Sequence, residues 1–167
     1  MEKFDPAKYR EIWRAEWFAS LVALSTPEFQ QRWLDKRITN PAWTYVEFAN
    51  CYFDDLQLAD GYQKKIQGGF ITKDEYECVK DFHHALRAYK EPNGVYDPAS
   101  ILEDPKWQKI VAKGQEAISK LKALITNQND LKALSGELPA LTSGDFTWPK
   151  KPTWFRKLLL RLNPPQV

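Results

Sequence analysis

Apolar side chains recur along this chain at intervals of three and four residues, the spacing that places them on one face of an α-helix. The spacing is found in five stretches, residues 6–24, 27–34, 45–61, 73–89 and 105–125. The strict alternation of apolar and polar residues that is typical of β-strands is nearly absent. The pattern therefore predicts an all-α fold, a single-domain bundle of about five to six helices that occupies residues 1–134.

Six positions carry a sequence signal for the start of a helix. In four of them Asp or Thr precedes a proline, and in the other two a Thr is followed three residues later by Glu, as in a capping box. The six signals are Asp5-Pro6, Thr26-Pro27, Thr44–Glu47, Thr72–Glu75, Asp97-Pro98 and Asp104-Pro105. Between these helices we expect a loop or short ribbon over residues 60–71 and a short turn over 98–102. Asn127–Asp130 is expected to end the longest helix.

The composition changes at Ser135, after which glycines and prolines predict an irregular arm over residues 135–167. Residues 153–162 form a short basic amphipathic stretch that could dock on the bundle as a final helix. Alternatively, it could touch an anionic membrane surface and make the protein a membrane-surface adaptor. Three basic residues on one short helix bind a membrane weakly, so stable membrane insertion is not expected.

Charge and cysteine content exclude several classes of protein. The chain of 167 residues has 24 basic and 22 acidic residues and a net charge of +2, so we expect no nucleic-acid partner. The same balance argues against an acidic inhibitor that mimics nucleic acid. The two cysteines, Cys51 and Cys78, are far apart, and the N-terminus does not read as a secretory leader, which favours a reduced cytoplasmic protein.

The chain is rich in aromatic residues, with seven tryptophans, and such an excess supplies either a core or a contact surface. Most of these side chains are expected to lie in the core. A minority, next to a pair of carboxylates, is predicted to form an exposed patch that binds a partner. The residues of this predicted patch are Trp33, Trp43, Tyr45, Asp54 and Asp55.

Asp54 and Asp55 are also the first candidates for chemistry, together with the only histidines, His83 and His84. Adjacent residues on a helix point about 100° apart, so neither pair by itself can hold a metal ion or flank a substrate. No catalytic residue, metal ligand or cofactor site is therefore predicted. A small helical enzyme that combines Asp54 or Asp55 with one of the histidines stays open as an alternative, and it requires these side chains to share a cleft.

Three blocks of this sequence resemble a family of small helical bacterial proteins without assigned enzymatic chemistry. The blocks are residues 24–33 (LSTPEFQQRW), Phe53-Asp54-Asp55 with the helix that contains Glu75, and residues 102–111 (LEDPKWQKIV). They span roughly residues 9–125 and look like the immunity proteins that accompany polymorphic or contact-dependent toxins. The resemblance implies a non-enzymatic protein that neutralises a cognate toxin by direct occlusion, through shape and aromatic contacts or through an acidic surface of the toxin.

Overall fold

The computed structural model describes residues 5–35, 44–92 and 97–137. Every regular element in these ranges is helical, which confirms the predicted all-α class. The ranges hold more α-helices than the five or six expected, because several have only one or two turns. The helices are α1 (Pro6–Ser25), α2 (Pro27–Gln30), α3 (Tyr45–Asn50), α4 (Gln63–Gln67), α5 (Lys73–Ala88), α6 (Pro98–Glu103), α7 (Pro105–Leu124) and α8 (Gln128–Leu134).

All six predicted N-termini begin helices. At five of them the capping side chain accepts a backbone N–H of the first turn, at Asp5, Thr44, Thr72, Asp97 and Asp104. The capping box of α5 is complete, because Glu75 Oε2 also accepts the Thr72 N–H at 2.6 Å. Thr26 precedes α2 without a side-chain bond. The local capping signals therefore locate the start of every long helix.

Three helices differ from the prediction for their segments. The first, α4, lies within the predicted loop, and its N-cap residue Tyr62 makes no side-chain capping bond. The second, α6, begins at the predicted Asp97-Pro98 signal but is a helix where only a short turn over residues 98–102 was expected. The third, α8, begins directly after Asn127, whose Oδ1 accepts the N–H groups of Asn129 and Asp130. The residues that were expected only to end α7 thus also start a new helix.

The core forms around α1. Every residue from Glu16 to Ser25 is buried, so the second half of this helix is enclosed on all sides rather than on one broad face. Helix α1 contacts α3, α7 and α8, and α7 packs in turn against α5. Trp13, Trp17 and Phe18 are fully buried in this core. Most of the described tryptophans thus contribute to internal packing, as expected.

Gly114 allows α7 to approach α1 closely. A Cβ atom at position 114 would overlap Ser25 Oγ and would lie 2.7 Å from Ser25 Cβ. It would also lie 3.1 Å from Cδ2 of Phe82 on α5. The absence of a side chain at this position is therefore required by the crossing of three helices.

Arg14 connects α1 to three other parts of the bundle. Its Nη2 lies 2.6 Å from Glu75 Oε1 on α5 and 2.8 Å from Asp130 Oδ2 on α8. Its Nη1 donates to the carbonyl oxygen of Phe70 at 2.9 Å. The Glu75 side chain is only 7% exposed, so the guanidinium group neutralises a largely buried carboxylate.

The described residues end at 137, just after α8. The predicted boundary between bundle and arm at residues 134 and 135 therefore coincides with the end of the last described helix, at Leu134. Apart from residues 135–137, the predicted arm and its amphipathic stretch at 153–162 lie outside the described residues.

Candidate functional site

The acid pair Asp54-Asp55 lies in a π-helical turn, Cys51–Asp55, that extends α3. The Leu56 N–H donates to the Cys51 carbonyl at 2.9 Å, the five-residue step of a π turn, and Gln57 follows with φ of 57°. Asp54 is exposed and Asp55 is half-buried. Because π turns recur at functional sites, this geometry keeps Asp54 as a candidate contact residue.

The same turn directs Tyr52 into a buried chain of hydrogen bonds. Trp17 Nε1 donates to the Tyr62 hydroxyl at 2.8 Å, and the Tyr62 and Tyr52 hydroxyls lie 2.7 Å apart. The Tyr52 hydroxyl lies 3.2 Å from Nδ1 of His83. The chain therefore joins α1, α5 and the π turn through polar groups that are all buried.

The ionisation state of His83 follows from its place in this chain. Burial, with smaller contributions from the positive charges of His84 and Arg87, lowers the pKa of His83 to about 4. The imidazole is thus neutral in the core at pH 7. Trp17 Nε1 donates to the Tyr62 hydroxyl, whereas either hydroxyl of the Tyr62–Tyr52 pair could be the donor and the roles at the Tyr52–His83 contact depend on the imidazole tautomer.

This placement counts against the catalytic alternative for His83. The ring is 2% exposed and contacts Tyr52, Phe53 and Tyr62, whereas Asp54 faces solvent. His84, its neighbour on α5, is exposed, so the two histidines divide between the core and the surface. His83 therefore does not share an open cleft with the acid pair.

Two residues of the predicted partner-binding patch are buried, and their predicted exposure is wrong. Trp33 and Tyr45 are 7% and 6% exposed. Their rings surround Trp107, with centroids at 6.0 and 5.2 Å from it, and Tyr89 lies at 5.3 Å. We call these four rings the Trp107 cluster. The pattern identified aromatic positions at helical spacing but not the direction in which they point. Trp43, the remaining aromatic residue of the patch, lies outside the described residues.

A groove that the sequence reasoning missed lies between the C-terminal end of α5 and the N-terminal half of α7. It encloses about 330 Å³ and has an apolar floor formed by Ala85, Ala88, Tyr89 and Ile110. Four lysines border it, Lys90, Lys106, Lys109 and Lys113. A signal was available, because three of these lysines follow one another on α7 at helical spacing around Ile110. We call this feature the lysine groove.

A hydrogen bond joins Tyr89, which lines the groove, to the residue that caps α7. The Tyr89 hydroxyl donates to Oδ2 of Asp104 at 3.0 Å, and Oδ1 of the same carboxylate caps α7 through the Lys106 N–H at 2.9 Å. Burial and the Asp104 carboxylate both raise the pKa of Tyr89, so its hydroxyl remains a donor over the physiological range. The Trp107 cluster includes the Tyr89 ring and supports the floor of the groove from behind.

Residues 5–35, 44–92 and 97–137 contain no group of three or more His, Cys, Asp or Glu side chains placed to hold one metal ion. Within that part of the chain no helix combines the length and apolarity required to cross a membrane.

Comparisons of this chain with protein-family models, with curated proteins and with solved structures found no match. The fold and surface define an all-α bundle with a buried tyrosine–histidine chain and a lysine-bordered groove. The resemblance to immunity proteins therefore stays a prediction.

Proposed function

We propose that this protein is a non-enzymatic binding protein, and more specifically an immunity protein that neutralises a cognate bacterial toxin by occluding it. The observation that carries the first part is the lysine groove, a concave apolar surface bordered by lysine charges, in which Tyr89 donates a hydrogen bond to Asp104. Such a surface suits protein recognition, in which preformed apolar pockets with polar rims supply most of the affinity.

The arrangement of the titratable groups supports binding over catalysis. The acid pair is at the surface, His83 is a neutral imidazole in the core, and the ion pairs around Arg14 hold helices together. The more specific part of the proposal rests on the three sequence blocks that resemble immunity proteins. Cys51 and Cys78, both free thiols, fit a reducing compartment, and a cytoplasmic location is part of the same proposal.

Co-expression with the product of the adjacent gene tests the proposal. The candidate toxin is expressed from a tightly controlled promoter with and without this protein, and growth is followed. We expect growth to be restored and the two chains to co-purify. If the neighbouring gene product neither binds this protein nor loses toxicity in its presence, the immunity proposal is wrong.

A titration then separates occlusion from catalysis. Purified toxin is mixed with increasing amounts of this protein, and its remaining activity is measured. Occlusion predicts that inhibition is complete near one equivalent, because each bound molecule blocks one toxin. Complete inactivation by a small fraction of an equivalent would show turnover, and the non-enzymatic proposal would then fail.

Charge reversal tests whether the acid pair is part of the contact. Asp54→Lys with Asp55→Lys should weaken toxin binding while the circular dichroism spectrum and melting temperature stay close to those of the wild type. Unchanged affinity in a folded double variant would remove these two residues from the binding surface.

A further inference from the structure

We infer that the lysine groove binds an acidic polypeptide segment of a partner protein. The carboxylates of this segment contact the lysines, and an apolar side chain that lies between these carboxylates enters the groove. This inference rests on the proposed binding function and adds the chemistry of the partner. It also moves the principal contact from the predicted patch around Asp54 to the groove between α5 and α7.

The first argument concerns the shape and lining of the groove. Lysine side chains lay their aliphatic stems along apolar surface and keep the ammonium groups in water. The stems of Lys109 and Lys113 therefore extend the apolar walls on either side of Ile110, with the charges at the rim. A volume of about 330 Å³ has room for one large apolar side chain and a little of its backbone. The groove is therefore suited to a single anchor side chain of a partner rather than to an extended apolar surface.

The second argument concerns charge. None of the four lysines of the groove forms an ion pair with another described residue. Elsewhere on the same two helices, exposed lysines do form such pairs, Lys80 with Glu77 and Lys120 with Glu116. With a net charge of only +2 over the chain, four unpaired lysines around one groove are a local concentration of positive charge. Carboxylates of a partner would relieve the repulsion among them.

The third argument concerns which occupant fits. Residues 150–161 of this chain contain five basic residues and no acidic one, so charge disfavours the chain's own C-terminal region as the occupant. A nucleic acid would satisfy the lysines, but its phosphates would leave the apolar floor in water. An acidic segment with an apolar anchor satisfies both parts of the groove. Because the groove is already formed, such a segment would bind without first reordering the bundle.

An unbiased selection tests this inference without any knowledge of the partner. A phage-displayed library of random 12-residue peptides is selected on the full-length protein and counter-selected on the Lys109→Glu/Lys113→Glu variant. We expect the enriched peptides to be acidic and to share an apolar residue. Enrichment of neutral or basic peptides, or of none that distinguish the two proteins, would overturn the inference.

Affinity measurements on an enriched peptide then locate the site. By fluorescence polarisation, binding should be at least about tenfold weaker to the Lys109→Glu/Lys113→Glu variant, because attraction is replaced by repulsion. Ala88→Phe should weaken it similarly by filling the groove without changing its charge. The matched control is Lys8→Glu/Lys73→Glu, which reverses two exposed lysines in the first turns of α1 and α5, where acidic residues favour the helix. Equal losses in the control and the groove variants would show a general charge effect and refute the site.

Three further outcomes separate this inference from its alternatives. If a 20-nucleotide single-stranded DNA binds the groove more tightly than the peptides and is lost with the same variants, the groove is a nucleic-acid site and the inference is wrong. If the groove variants still neutralise a cognate toxin at full strength, this inference fails while the immunity proposal stands. If the peptides bind as expected but no toxin is neutralised, the immunity proposal fails and the groove remains a peptide site.

Discussion

Replacing His83 by asparagine should flatten the dependence of stability on pH between pH 7 and pH 4. In the folded protein the pKa of His83 is lowered to about 4, whereas its ordinary value is 6.5. The unfolded chain therefore takes up a proton between pH 6.5 and pH 4 that the folded chain does not. The stabilising contribution is fully present above pH 6.5 and is lost as the pH falls toward 4.

The magnitude follows from the difference between the two pKa values. At about 1.36 kcal/mol per pKa unit, the difference sets an upper limit of roughly 3 kcal/mol. The assay ends at pH 4.5, above the folded-state pKa, so we expect a measured loss of about 2 kcal/mol. The direction agrees with the packing of the ring against Tyr52, Phe53 and Tyr62, because a charged imidazolium loses its hydration there. Asparagine keeps an acceptor near Nδ1 but has no ionisation in this range.

Urea unfolding followed by tryptophan fluorescence at pH 7, 6, 5 and 4.5 measures the effect. The difference in unfolding free energy between the wild type and His83→Asn should shrink steadily as the pH falls, whatever its value at pH 7. His84→Asn is the matched control, since His84 is the exposed neighbour on the same helix. It should keep most of the wild-type slope, because burial is the larger cause of the lowered pKa of His83 and the charge of His84 the smaller one. If His83→Asn and the wild type lose stability in parallel, the structural reasoning about this histidine is refuted.

Three other substitutions test the internal contacts by the same unfolding assay. Arg14→Leu should cost about 3 kcal/mol, because it leaves the largely buried Glu75 carboxylate without its cation, and a cost below about 1 kcal/mol would contradict this role. Gly114→Ala should lower the free energy of unfolding by about 2 kcal/mol although alanine favours helices, because its Cβ would overlap Ser25. Adding Ser25→Gly to this variant should restore most of the lost stability. Failure of that rescue would show that the Ser25 contact is not the cause. Burial and the nearby Lys64 lower the pKa of Lys65 to about 8, so its cation destabilises the fold below that pH. Lys65→Met should therefore raise the free energy of unfolding by about 1 kcal/mol over the wild type at pH 7, and this gain should shrink as the pH rises from 8 to 10.5. A gain in stability that does not change with pH would refute the role given to the Lys65 cation.

The sequence predicted the elements whose determinants are local. Capping side chains and prolines gave the start of six helices, because these signals act within one turn. Helix α4 was not predicted because Tyr62, its N-cap residue, makes no side-chain capping bond. Tyr62 is instead held by tertiary contacts, since it is buried and its hydroxyl accepts a hydrogen bond from Trp17 Nε1. A helix stabilised by its surroundings cannot be found from its own residues.

The candidate site was harder to predict because it depends on the direction of side chains. Helical spacing grouped Trp33 and Tyr45 correctly with other aromatic residues, but it could not decide between a core and a surface. Both rings are buried because they pack against Trp107, which lies far away in the sequence. The ring of Tyr89, directly after α5, completes the cluster. The lysine groove depends on the same long-range packing of α5 against α7, so its residues look like an ordinary solvated helix face when α7 is read alone.

Helix α5 links the buried hydrogen-bond chain to the groove, and this link makes stability and binding separable by experiment. One side of the helix presents His83 to Tyr52 in the core, while another presents Ala85 and Ala88 to the groove. His83→Asn weakens only the first side, so at neutral pH and well below its melting temperature it should bind a groove-selected peptide with unchanged affinity. The Lys109→Glu/Lys113→Glu variant should show the reverse, with nearly normal stability and weakened binding. If His83→Asn loses affinity as strongly as the groove variant does, the groove is not preformed but depends on the hydrogen-bond chain to hold α5 in place.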